Sequence, residues 1–143
     1  MPPAGIVDAL RKFHRLLRPG GTLLDAHPTT VSPSLEVVAS NGKHPLGDLV
    51  YADTFVSTIA NAKDALSKLV AEGLFVREQA AEYEAAIHLD SYPIWETYWE
   101  EQGSYYVEPD DDTLKAIQEL MGTGEAELVL KDRIEATPYR RPP

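Results

Sequence analysis

The feature that most constrains this chain is Leu16-Leu17-Arg18-Pro19-Gly20-Gly21, followed at once by Thr22-Leu23-Leu24-Asp25-Ala26-His27-Pro28. Pro cannot continue a helix and Gly readily takes a left-handed turn, so a helix must stop here. Upstream, Ile6, Leu10, Phe13 and Leu17 recur at helical spacing and share one face. Asp8 lies near the positive end of that segment, while Arg11, Lys12, Arg15 and Arg18 gather toward the negative end, as the macrodipole favours. The pattern predicts a helix over 3–18 and a strand over 22–27 that Pro28 ends.

Farther along, Asn41-Gly42 stands between the apolar runs 35–39 and 46–51, a strong hairpin signal. A helix is expected over 53–72, with Asp53 as its cap, Gly73 just beyond its end, and Phe55, Ile59, Ala62, Leu66 and Leu69 as its inner stripe. Residues 75–89 set two rules against each other. Glu78 to Ala86 has good helix propensity, yet Ala81, Tyr83, Ala85, Ile87 and Leu89 alternate with Ala80, Glu82, Glu84, Ala86 and His88. Alternation is the signature of a strand with one buried face, and the strand is the reading adopted. Short helices are expected over 92–102 and 110–121, the first carrying Ile94, Trp95, Tyr98 and Trp99 on one face. Gly122-Thr123-Gly124 stops the second. A last strand alternates Leu128, Leu130, Ile134 and Ala136 against Val129, Lys131, Arg133 and Glu135 and ends near Pro138, leaving a polar tail. With neither repeat nor linker, 1–143 reads as a single domain.

Composition narrows the partners. The 143 residues carry 13 basic and 23 acidic side chains, a formal charge of −10 that would repel phosphate backbones and anionic lipid. Nucleic acid and membrane are therefore not expected partners. The chain has no Cys, which removes disulfides and thiolate chemistry and fits a reducing compartment. No apolar run is long enough for a membrane span and the first five residues carry no basic charge, so a cytoplasmic protein is expected.

The succession of a helix ending in LLRPGGTLLDAHP, a helix ending in KLVAEGLFV, a strand EQAAEYEAAIHL and a closing strand ELVLKDRIEATPY resembles the C-terminal half of a class I S-adenosylmethionine-dependent methyltransferase. The resemblance covers most of the chain outside the hairpin and the aromatic helix. It implies an α/β (α+β) fold, a partial Rossmann-like half. Its mixed sheet would have an antiparallel last strand lying between the strand at 22–27 and the strand after Glu72-Gly73-Leu74-Phe75. An added β-hairpin and about four helices complete it.

In that family the methyl donor sits on the N-terminal half, on a Gly-rich turn after the first strand and an acidic residue ending the second. Neither feature is found in this sequence. Its only G-x-G, Gly122-Thr123-Gly124, follows a helix and precedes a strand, so no helix N-terminus is on hand to receive a charged group. The resemblance thus implies that no cofactor is bound by this chain alone and that S-adenosylmethionine binds only if a donor-binding partner chain or an upstream segment supplies the missing half. The strand at 22–27, which the resemblance makes the family's fifth, would be left with an exposed edge that invites pairing, and a homodimer is expected, through that edge or through the apolar faces of the first helix and the hairpin.

Ligand-pocket candidates are few. Asp25 and His27 share one face of their strand and His88 and Asp90 share one face of theirs, a set that could converge on a metal or an acid–base pair. Polar residues also sit at strand ends simply because the sheet meets water there. Tyr83, Trp95 and Trp99 complete the candidates: Trp95, Tyr98 and Trp99 could stack on a ring-shaped ligand or be packed core. The acids Glu96, Glu100, Glu101, Glu108 and Asp110 to Asp112 could attract a cation or a basic partner, or be solvated helix ends. His14 and His44 read as solvated. No catalytic residue and no metal site is assigned. Two functions follow: a methyltransferase-like dimeric module that binds a small molecule or a protein without catalysis of its own, or the substrate-side half of a small-molecule methyltransferase.

Overall fold

The computed structural model describes residues 3–122 and 124–143. Met1 and Pro2, from the uncharged N-terminal stretch, and Thr123, from the expected helix stop, lie outside the described residues. Among the described residues the order is α1 (Pro3–Leu16), β1 (Thr22–Pro28), β2 (Ser34–Ala39), β3 (Gly42–Asp48) and α2 (Asp53–Ala71). There follow β4 (Val76–Arg77), β5 (Ala81–Leu89), α3 (Tyr92–Gln102), a 3₁₀ turn at Gly103–Tyr105, α4 (Asp111–Met121) and β6 (Ala126–Arg140). The fold is α+β, with four α-helices and a six-stranded sheet. No described helix is long and apolar enough to cross a membrane.

The chain divides into two compact units. The first takes the residues up to Thr29, Val56–Tyr83 and Ile134–Pro143, and the second takes Thr30–Phe55 and Glu84–Arg133. In the first, β6 is the middle strand: Tyr139 and Arg140 pair with Leu23 and Thr22 of β1 and also with Arg77 and Val76 of β4. All these pairs are antiparallel, as expected for a closing strand between its two neighbours. The mixed sheet expected from the resemblance is here antiparallel in every neighbouring pair whose register is resolved, because β6 and β2 lie between the other strands.

Turn chemistry explains the joints of this unit. α2 ends in a Schellman arrangement in which Leu74 N–H donates to Leu69 O and Gly73 N–H to Val70 O, with Gly73 at φ 78° where a side chain would be strained. α1 stops at Leu16, slightly short of the expected Arg18, because Pro19 disfavours helical backbone at the residue before it. Its free carbonyls are taken by Arg141, whose guanidinium donates to His14 O and Leu17 O. Arg141, expected in a polar tail, thus caps the helix, while Arg140 ends β6. The core holds Leu66, Leu69, Phe75 and Tyr139, with Val7, Leu10, Leu17 and Leu23 packed against them.

One expected inward residue of α1 points out. Phe13 is 48% exposed, and His14, read as solvated, packs edge-on against Phe75 at 5.3 Å. Burial, then the charges of Arg141 and Arg15, push the His14 pKa down. The cause is rotational: Val7, Leu10 and Leu17 define the inner stripe, and His14 lies on it where Phe13 does not.

In the second unit β2 pairs with β3 through a two-residue loop, Ser40-Asn41, and with residues 126–131 of β6. The return strand begins at Gly42, earlier than the expected 46, because the tight turn pairs Ala39 directly with Gly42. α3 and α4 form where the sequence places them. Ser91 caps the first by accepting from Ile94 N–H, and Asp110 caps the second by accepting from Thr113 N–H at 2.7 Å. Leu35, Val37, Leu49, Leu89, Trp95, Ile117, Leu128 and Leu130 form the core.

Two burial expectations fail although the strands form. β5 is a strand over the expected 81–89, but only Leu89 is buried; Tyr83 and Ile87 are 49% and 38% exposed. Pairing with β6 settles its conformation without covering its apolar face. Along β6 the fully buried positions are Ala126, Leu128, Val129 and Leu130 and then Thr137 and Tyr139, so Ile134 and Ala136 are not the inward residues expected. Each unit selects the residues that meet its own core.

Candidate functional site

β1 presents alternate residues to the interior of the first unit. Leu23 joins the core, Asp25 is partly covered and His27 is buried at 8% exposure, while Thr22, Leu24 and Ala26 face outward. This is the ordinary period-two consequence of a strand packed on one face. Antiparallel pairing sets Glu135 of β6 opposite His27 and Thr137 opposite Asp25. Lys63, projecting from α2, reaches Glu135 Oε1 at 3.4 Å.

The His27 ring sits close to two acids. Its Nδ1 lies 2.9 Å from the Pro28 carbonyl oxygen, which can only accept, so the proton is assigned to Nδ1. Nε2 lies 3.3 Å from Asp25 Oδ2 and 3.9 Å from Glu135 Oε1, yet it makes no hydrogen bond and is shut off from solvent. In the neutral ring that nitrogen is a lone-pair acceptor; protonated, it would be a donor held between two carboxylates. Asp25 is pushed above the usual carboxylate range, chiefly by burial and also by the Glu135 charge, with His27 and Lys63 pulling it back. Chemically the cluster can take a proton at Nε2 or accept a hydrogen bond from a hydroxyl or amine brought to it.

The other predicted residues do not join this cluster. His88, on β5, pairs with Glu127 of β6 at 3.2 Å in an exposed position, and Asp90 is exposed at the end of the strand. Among the described residues no group of three or more His, Asp or Glu is arranged to hold a metal ion. Tyr83 stands exposed on β5. Trp95 is core, 3% exposed, with its ring 5.3 Å from Trp99, and Trp99 stacks on Tyr106 at 6.0 Å.

Around these indoles the second unit carries a tyrosine network that sequence reasoning missed. Tyr51 donates a short hydrogen bond to Asp132 Oδ2, and the hydroxyls of Tyr98 and Tyr106 lie 3.0 Å apart. Burial, the largest cause in each case, raises all three phenols, Tyr106 to about 12. Glu135 and Lys63 were equally missed as parts of the His27 cluster. Their only sequence signal was the period of their elements, which does not reveal that Glu135 pairs with His27 across 108 positions of chain, from 27 to 135.

Comparison with protein-family models, with curated proteins and with solved structures finds no match.

Proposed function

We propose that this protein is a methyltransferase-like binding module that receives a small molecule at His27 and acts as a homodimer. The observation that carries the reading is the buried, unpaired Nε2 of His27. A buried polar atom without a partner is costly, commonly by about 1–3 kcal/mol, and a bound group that pairs with it removes that cost. A small hydroxyl or amine would do so, donating to Nε2 while the Pro28 carbonyl holds the ring by Nδ1. The Glu135 oxygen nearest Nε2 is the one held by half-exposed Lys63.

The resemblance to methyltransferases is supported by the placement of β6 between β1 and β4. Dimerisation is supported by the outward face of β1, where Leu24 is 61% exposed and Ala26 is uncovered, and by the second edge of β1, which no strand among the described residues pairs with. A second reading, methyl transfer with the donor half supplied by other residues, draws on the same lone pair, since an imidazole nitrogen can serve as a general base for a hydroxyl brought to it.

Two measurements test these readings. Calorimetric titration with S-adenosylmethionine should show no binding, and the mass in solution should be that of a dimer. Micromolar donor binding would move methyl transfer to first place, and a monomeric mass would remove the dimer. Phenol serves as the hydroxyl probe, read through the His27 ring nitrogens by NMR: a saturable shift of Nε2 is expected, and none would reject His27 as the site.

A further inference from the structure

α1 carries two apolar stripes. Val7, Leu10 and Leu17 pack against the cluster of Leu66, Leu69, Phe75 and Tyr139, and His14 on the same stripe meets the Phe75 ring. One residue back along the chain, Ile6, Ala9, Phe13 and Leu16 repeat the same spacing of three, four and three. Phe13 is 48% exposed and Leu16 81%, and Ile6 and Ala9 are only partly covered. A single exposed apolar side chain is ordinary, whereas four in line along a helix form a seam. The rotation that turns His14 inward thus leaves a second seam outside, with the a/d repeat by which one helix packs along another.

The seam is bordered by positive charge. Lys12 stands one turn before Leu16 and Arg15 follows on the same flank, both exposed. Among the described residues neither forms an ion pair, although Asp8 stands one turn before Lys12, whereas Arg11 on the other side of the helix is held by Glu72 at 2.8 Å. The repeat fits a helix, and the unpaired cations fit carboxylates along its flank. An extended polyanion, a phosphate backbone or an anionic bilayer, would also meet the charge of −10 carried by the whole chain and be repelled. A second copy of α1 would bring the same cations against these. We infer that the outer face of α1 docks an amphipathic helix of a partner protein, one whose apolar a/d seam is bordered by Glu or Asp.

The surface is separate from the dimer contact, since Leu24 lies on the face of β1 turned away from the core that α1 covers, and it is independent of His27. The test uses the whole chain and a fluorescein-labelled three-heptad peptide with Leu at a and d and Glu at e and g, read by anisotropy. Saturable binding is expected, and the same peptide with Gln for Glu should bind about fivefold more weakly. Leu16→Ser and Lys12→Gln alter exposed side chains, and thermal melts confirm their folding. The first should weaken binding by about tenfold or more, the loss of one buried leucine, and the second by about fivefold, the size of one exposed charge pair. No binding, equal binding of the Glu and Gln peptides, or a Leu16→Ser variant that binds like the parent protein would overturn the inference. So would phosphatidylserine vesicles that bind the chain and displace the peptide.

Discussion

The two units treat buried polar groups in opposite ways. In the second, three tyrosine hydroxyls that enter the interior find partners: Tyr51 has Asp132, and Tyr98 and Tyr106 have each other. In the first, His27 is as well buried but its Nε2 is left without a hydrogen bond between two acids. A satisfied network adds stability and rigidity, whereas a buried polar atom without a partner costs free energy until something pairs with it. The difference separates a region built to hold its shape from one that a ligand would complete.

The sharpest way to break that contrast is to remove a residue from each side. Trp95→Ala should cost about 3–5 kcal/mol of stability, read from the urea midpoint, because it empties the packed centre of the second unit. His27→Leu should change stability by less than about 1 kcal/mol, since it removes an unpaired nitrogen together with a single bond to Pro28, while abolishing the response to phenol. Equal losses from the two would mean that the His27 cluster is structural after all. Between these, Gly103→Ala should cost about 1–3 kcal/mol by pushing the added methyl into Trp99.

Titration sharpens the comparison. The folded pKa of Asp25 is raised above its ordinary value of 3.8, so ionising it opposes folding. The penalty is absent below that value, grows as pH rises toward the folded pKa and is complete above it. Asp25→Asn should therefore raise the urea midpoint at neutral pH and lose that advantage in acid. In the second unit the tyrosines carry the same sign at the other end of the scale: Tyr51, Tyr98 and Tyr106 start from 10.0 and are raised, so stability should fall as pH climbs past that value. Tyrosinate absorbance should show these three ionising only together with unfolding. The smallest effect on stability is expected from Leu24→Lys, within about 0.5 kcal/mol at an exposed position, although it should convert the dimer to a monomer in sedimentation.

Local signals were legible where the chain itself enforces them. The period of residues 81–89 outweighed the helix propensity of Glu78 to Ala86, the hairpin signalled by Asn41-Gly42 formed with its loop one residue earlier at Ser40-Asn41, and the Gly73 terminus formed. Burial was less legible, because it depends on what covers a face. Tyr83 and Ile87 alternate correctly and are still exposed, and Phe13 yields the inner stripe of α1 to His14. Asp25 and His27 were readable as neighbours on one strand face, whereas Glu135 and Lys63 come from distant elements that only pairing and packing bring near. The expected union of His27 with His88 assumed that strand ends would meet, and each histidine instead has its own acid beside it.

The central claim, that His27 holds an acceptor in reserve for a ligand, is tested most directly by the nitrogen-15 spectrum of its ring. The neutral ring should carry its proton on Nδ1 with Nε2 bare, and phenol should shift the Nε2 resonance alone. A proton found on Nε2 of the neutral ring, or a resonance indifferent to phenol, would contradict it.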